Sequence, residues 1–79
     1  MKTLDLHGYK TDEAIDAIDR FIYKAVQDGE ARVRIMTGKG TGAIFKTTTS
    51  YLKKGNYPWQ FEKMSNGKPN EGVLVVFVG

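Results

Sequence analysis

Gly72-Val73-Leu74-Val75-Val76-Phe77-Val78 is the stretch whose reading decides the fold. Its apolar run has a strand's length and falls far short of the roughly 20 residues that a membrane-spanning helix needs. Being apolar on both faces, it suits the middle of a sheet better than an edge. Just before it, Ser65 to Gly72 is rich in Asn, Gly and Pro and reads as a loop. Trp59-Gln60-Phe61-Glu62-Lys63-Met64 precedes the loop as another strand. Two strands joined by one loop are expected to pair antiparallel.

Further back the chain alternates between strand and helix periods. Residues 3–7 (Thr-Leu-Asp-Leu-His) alternate apolar and polar, with Leu4 and Leu6 on one face and Thr3, Asp5 and His7 on the other. Thr11 is the expected N-cap of a first helix, with Asp12 and Glu13 in its first turn. Ala14, Ile15, Ile18, Phe21, Ile22, Ala25 and Val26 recur at helical spacing until Gly29, a capping glycine. Residues 31–37 form a second alternating strand, with Val33 and Ile35 opposite Arg32, Arg34 and Met36. A second helix is expected from about Ala43 to Lys54, with Ile44, Thr48, Tyr51 and Leu52 as its buried stripe and Gly55-Asn56 at its end. Its Thr47-Thr48-Thr49 run is weak helix material that packing must hold.

The resulting order is βαβαββ within one domain, residues 1–79. Two crossovers of this length imply parallel, right-handed connections. Two helices cover only one face of four strands. The expected fold is a two-layer α/β sandwich with a mixed sheet, its second face partly open.

Composition narrows the function classes. The chain has no Cys, which excludes disulfides and Cys-ligated zinc or iron–sulfur clusters. A small domain without such staples, and without a signal-like N-terminus, is expected in the cytoplasm and away from membranes. The net charge of +3 is a mild bias towards polyanions. Its distribution says more: acidic residues crowd the first helix, whereas Arg32, Arg34, Lys39, Lys46, Lys53 and Lys54 stand in a segment with no acidic residue.

Two motifs can carry chemistry. At the end of the first strand, Asp5 and His7 are a carboxylate and the chain's one imidazole, a pair suited to proton transfer near neutral pH. With a single His, any metal site would rest on carboxylates, Asp5 first, and would suit Mg²⁺ or Mn²⁺. After the second strand, Thr37-Gly38-Lys39-Gly40-Thr41-Gly42 runs into a helix N-terminus, where backbone N–H groups can cradle an anion. It is neither a Walker A loop nor G-x-G-x-x-G. If the first two strands are parallel neighbours, both motifs share the carboxyl edge of the sheet, where ligands of α/β folds generally bind. A phosphate held by the loop and Lys39, beside His7, is an arrangement for cutting a phosphodiester.

These residues together resemble a known family. Leu4-Asp5-Leu6-His7-Gly8, a helix opening with Glu13-Ala14, Thr37 to Gly42, and Glu71-Gly72-Val73-Leu74-Val75-Val76 are similar to the Smr (small MutS-related) domain, over essentially the whole chain. The Smr domain occurs at the C-terminus of bacterial MutS2 proteins and as stand-alone proteins. The resemblance implies strand order 1-2-4-3, like the C-terminal domain of translation initiation factor three. It also implies an endonuclease that nicks DNA or cleaves RNA, the latter on messenger RNA at stalled ribosomes. Asp5, Leu6 and His7 fall on the family's catalytic segment, and Thr37 to Gly40 on its substrate-binding loop. Many members have His where this chain has Thr37, and a Leu-Arg pair where it has Ile44-Phe45, leaving Lys46 as the replacement cation. Arg34 on the open face and Lys10 after the first strand are further candidate nucleic-acid contacts. Trp59 and Phe61 share a face and can stack bases, but packing is the expected role. The isolated domain is expected to be a monomer, as a stand-alone protein or as part of a larger MutS2-like chain. The alternative is a non-catalytic module that binds DNA, RNA or the ribosome.

Overall fold

The structure, a computed structural model, describes residues 1–38 and 42–79. In chain order it contains β1 (Thr3–Asp5), α1 (Thr11–Gln27), β2 (Arg32–Met36), α2 (Ala43–Lys54), β3 (Trp59–Lys63) and β4 (Pro69–Phe77). The strands form one mixed sheet in the order β1-β2-β4-β3. β1 is parallel to β2, and β4 is antiparallel to both β2 and β3. The apolar last strand is therefore central, as its two-faced hydrophobicity implies.

Side-chain alternation fixes the layers. Leu4, Ile35, Leu74 and Phe61 are in register across all four strands and face the helices. Against this face α1 packs Ala14, Ile18, Ile22 and Ala25, and α2 packs Thr48 and Leu52. Burial of these apolar side chains, each worth on the order of 1.5–3 kcal/mol for the larger ones, holds the two layers together. Thr48 reconciles a β-branched polar residue with a fully buried helix face. Its Oγ1 donates to the Ile44 carbonyl at 2.8 Å, so the hydroxyl is satisfied within its own helix. Phe45 packs edge-on to Trp59 (5.8 Å between centroids, 84°) and stacks on Phe61 (5.8 Å, 19°). The two β3 aromatics thus pack beneath α2, as expected.

Both helices end in the same hydrogen-bond pattern. For α1, Gly29 N–H bonds to Val26 O and Glu30 N–H to Ala25 O, with Gly29 at φ +72°. For α2, Asn56 N–H bonds to Lys53 O and Tyr57 N–H to Leu52 O, with Asn56 at φ +57°.

Several boundaries differ from the sequence reading, most by one residue and three in ways that bear on the site. β1 stops at Asp5, so His7 lies in the following turn and not on the strand. The N-cap of α1 is Lys10, and Thr11 is the first helical residue. Glu13 Oε1 reaches back to accept the Lys10 N–H at 3.0 Å, which starts the helix one residue early. β4 begins at Pro69, inside the expected loop: Pro69 and Asn70 pair with Lys63 and Glu62. Proline is accommodated there because it occupies the strand's first position.

The face opposite the helices carries Arg32, Arg34 and Met36 of β2 beside Phe77, Val75 and Val73 of β4. Val73 and Val75 are only 4% and 7% exposed although no helix covers them. Arg34 reaches across β4 and its Nη2 donates to Glu62 Oε2 on β3 at 2.9 Å. Arg34, half-buried, is the in-register neighbour of Val75 on this face, where a long apolar stem can cover apolar surface.

Candidate nucleic-acid interface at the carboxyl edge of β1 and β2

The parallel register pairs Asp5 with Met36, and Leu6 N–H continues the ladder to Met36 O at 2.9 Å. His7 and Gly38 each stand two residues beyond that pair, so the two motifs share one edge as their spacing implied. Because each of β1 and β2 feeds a helix, the N-termini of α1 and α2 open onto this same edge.

His7 is held by its backbone. Tyr9 N–H bonds to Leu6 O at 3.0 Å, closing a turn with His7 and Gly8 at its centre. Gly8 is at φ +79°, which the third position of a type II turn requires. Asp5 Oδ1 accepts the His7 N–H at 2.9 Å. The carboxylate thereby fixes where the imidazole starts, and the His7 side chain projects from an exposed turn.

On the neighbouring strand, Thr37 is 8% exposed and its hydroxyl faces the Gly38 carbonyl at 3.4 Å. Thr37 is thus the most buried residue of this motif among those described. Gly38, at φ +75°, is exposed. Both Thr37 N–H (2.9 Å) and Gly38 N–H (3.2 Å) donate to the carbonyl of Gly72 on β4. Lys39, Gly40 and Thr41 lie outside the described residues. Gly42, at φ +86°, is the N-cap of α2, and its carbonyl accepts the Lys46 N–H.

The two helix N-termini differ electrostatically. Asp12 and Glu13 stand in the first turn of α1, with Lys10 as its cap, whereas the first turn of α2 holds no acidic residue. The positive end of the α2 dipole is therefore uncompensated by a local carboxylate, and exposed Lys46 adds charge on its first turn. Arg34 does not join this group: it lies mid-strand on the open face, in its ion pair with Glu62.

For Mg²⁺ or Mn²⁺ the described residues supply few donors. Among them no three His, Asp or Glu side chains come together in a metal-holding group. Mg²⁺ usually keeps several waters and takes one or two carboxylates together with substrate phosphate, a part for which Asp5 would be the candidate ligand at this edge.

Sequence reasoning missed Asn70 and Gly72, which reach this edge from the far end of the chain. The Glu71-Gly72 pair lay within the family pattern, but spacing along the chain does not show that Gly72 meets Gly38.

The profile of the Smr domain matches residues 4–79. The chain belongs to the Smr domain family. The crystal structure of the Smr domain of Thermus thermophilus MutS2 superposes with a TM-score of 0.82 at 30% identity, covering 98% of this chain and 96% of that one. Relatives include proteins named Endonuclease MutS2 from Staphylococcus epidermidis (42% identical over 75 residues, 95% of this chain) and Levilactobacillus brevis (48% over 74 residues, 94%). This Smr domain spans 9% of the length of each of those two relatives. No helix among the described residues is long and apolar enough to cross a membrane.

Proposed function

We propose that this Smr domain is a nucleic-acid endonuclease module, binding DNA or RNA at the carboxyl edge of β1 and β2 and cutting a phosphodiester there. The observation that carries the reading is that two unlike elements share one sheet edge: an exposed histidine on a pinned turn, and a glycine-led helix N-terminus without acidic residues in its first turn. The first supplies proton transfer and the second a seat for phosphate. The family name of its MutS2 relatives, Endonuclease, agrees with this pairing.

In this scheme the loop from Gly38 to Gly42, with Lys39, holds the phosphate and polarises it towards attack. Lys46 and Lys10 flank the strand's path. His7 takes the proton from the attacking hydroxyl, a 2′-hydroxyl in RNA or water in DNA, or delivers one to the leaving oxygen. Asp5 positions His7 through its backbone. The ribosome, through its RNA, and a larger MutS2-like chain in which the domain acts as a monomeric unit are the proposed partners.

A binding-only reading rests on one observation: the Asp5 carboxylate accepts from the His7 backbone, an arrangement that shapes a turn with or without catalysis. The test is cleavage of end-labelled single-stranded RNA and supercoiled plasmid with Mg²⁺, Mn²⁺ or EDTA, beside His7→Ala. Cutting abolished by His7→Ala with binding retained supports the nuclease. Binding without cutting by the wild type leaves the module. Cutting indifferent to His7→Ala removes His7 from the mechanism.

A further inference from the structure

We propose that Asn70 is a positioning residue for the glycine-rich loop, acting through Gly72; this deepens the reading of that loop as a nucleic-acid seat and rests on it. The starting point is a break in the β3–β4 ladder. Phe61 pairs with Leu74, yet its neighbour Glu62 pairs with Asn70, so Glu71, Gly72 and Val73 are left without β3 partners. Extra residues of this kind bend a strand and re-aim its groups, and they occur often beside functional sites.

Here the released segment is turned towards β2. The Gly72 carbonyl accepts both Thr37 N–H and Gly38 N–H, the last backbone groups before the loop. The Gly72 N–H in turn donates to Asn70 Oδ1 at 3.1 Å. Both backbone polar atoms of Gly72 are thus engaged, one by the carboxamide and the other by the loop. The two glycines are neighbours: a Cβ on Gly72 would stand in ordinary van der Waals contact with Gly38 Cα, at 3.5 Å. Gly72 is buried, so an N–H left without Asn70 would lack water as a substitute and the segment would shift to find a partner. That shift moves the carbonyl on which Thr37 and Gly38 hang. Asn70 acts through Gly72 alone; it sets where the Thr37–Gly38 end of β2 is held.

The test compares Asn70→Ala and Asn70→Ser in the whole domain, with Ile22→Val in α1 as a control that lowers stability away from the loop. Serine keeps a short acceptor of the same local type. Two quantities are read: amide hydrogen exchange at Thr37 and Gly38, and affinity for a fluorescent single-stranded RNA and a DNA duplex. Asn70→Ala is expected to speed exchange at both amides beyond the control and to weaken binding about fivefold, the worth of one net hydrogen bond. Asn70→Ser is expected to recover part of both. Unchanged exchange at Thr37 and Gly38, or wild-type affinity in Asn70→Ala, overturns the positioning role alone. Wild-type protein that binds neither nucleic acid overturns the proposed function and this role with it.

Discussion

Arg34 and Glu62 meet across an intervening strand: the Arg34 guanidinium on β2 donates to the Glu62 carboxylate on β3 at 2.9 Å, passing over Val75 of β4. Both side chains are about one-third exposed, at 33% and 30%, and Arg34 Nε is buried without a hydrogen-bond partner. The pair explains how a two-layer domain closes the sheet face its helices leave bare. It also engages one cation of the basic segment, Arg34, in an ion pair.

The first prediction concerns that pair. Glu62→Ala is expected to cost about 1 kcal/mol, between the worth of an exposed ion pair and a buried one, because it leaves a half-buried cation alone. Replacing both partners, Arg34→Met with Glu62→Leu, is expected to be close to neutral, since methionine keeps an apolar roof over Val73 and Val75. Urea denaturation of the single and double variants checks this; a double variant as unstable as the sum of the singles would contradict it.

Asp5 gives a second prediction. Its contact is a carboxylate oxygen accepting the His7 N–H, which an amide oxygen can also do. Asp5→Asn is therefore expected to retain the turn and most of the folding stability, whereas Asp5→Ala loses about 1 kcal/mol. Thermal melts separate the two variants. Equal losses would mean that the negative charge, and not the turn contact, is what stabilises this edge.

The helix-facing row was legible because a period of two writes it directly into Leu4, Ile35, Leu74 and Phe61. The Asp5–His7 and glycine-loop motifs were legible because parallel crossovers put consecutive strand ends side by side. What stayed hidden has a common physical cause. Pro69, Asn70 and Gly72 have turn composition, and their strand assignment comes from partners in β2 and β3 that lie far away in sequence. The α1 cap went to Lys10 because capping was supplied from Glu13, so the residue type at the cap carried no signal. Likewise, Arg34 read as an open-face cation until the fold supplied Glu62.

Tyr51 yields a prediction in pH. Burial, reinforced by its hydrogen bond to Asp19 Oδ1 at 2.7 Å, pushes its hydroxyl up to about 12 from the usual 10. The folded state thus favours the protonated phenol. That contribution is complete below pH 10 and is lost as pH rises from about 10 towards 12. Tyr51→Phe cannot ionise, so its stability is expected to fall less over that window than the wild type's. The wild-type-minus-variant absorbance near 295 nm should show a phenol titrating near 12. A difference titration centred at 10 would place Tyr51 outside the α1–α2 contact.

Lys46 tests where nucleic acid runs. It is exposed on the first turn of α2, and its backbone N–H is bonded to the Gly42 carbonyl that precedes the helix. A lysine that contacts one phosphate contributes about 0.9 to the slope of log K against log salt on duplex DNA, and about 0.7 on single strands. Lys46→Ala is expected to flatten the slope by about that amount and to weaken binding similarly across unrelated sequences. Lys24 on the last turn of α1 is the contrast: it is tied to Asp28 at 3.4 Å at the helix end remote from this edge. Lys24→Ala should leave the slope unchanged. Titrations at several salt concentrations decide the matter, and equal slopes for Lys46→Ala and wild type would move the strand's path off the α2 N-terminus.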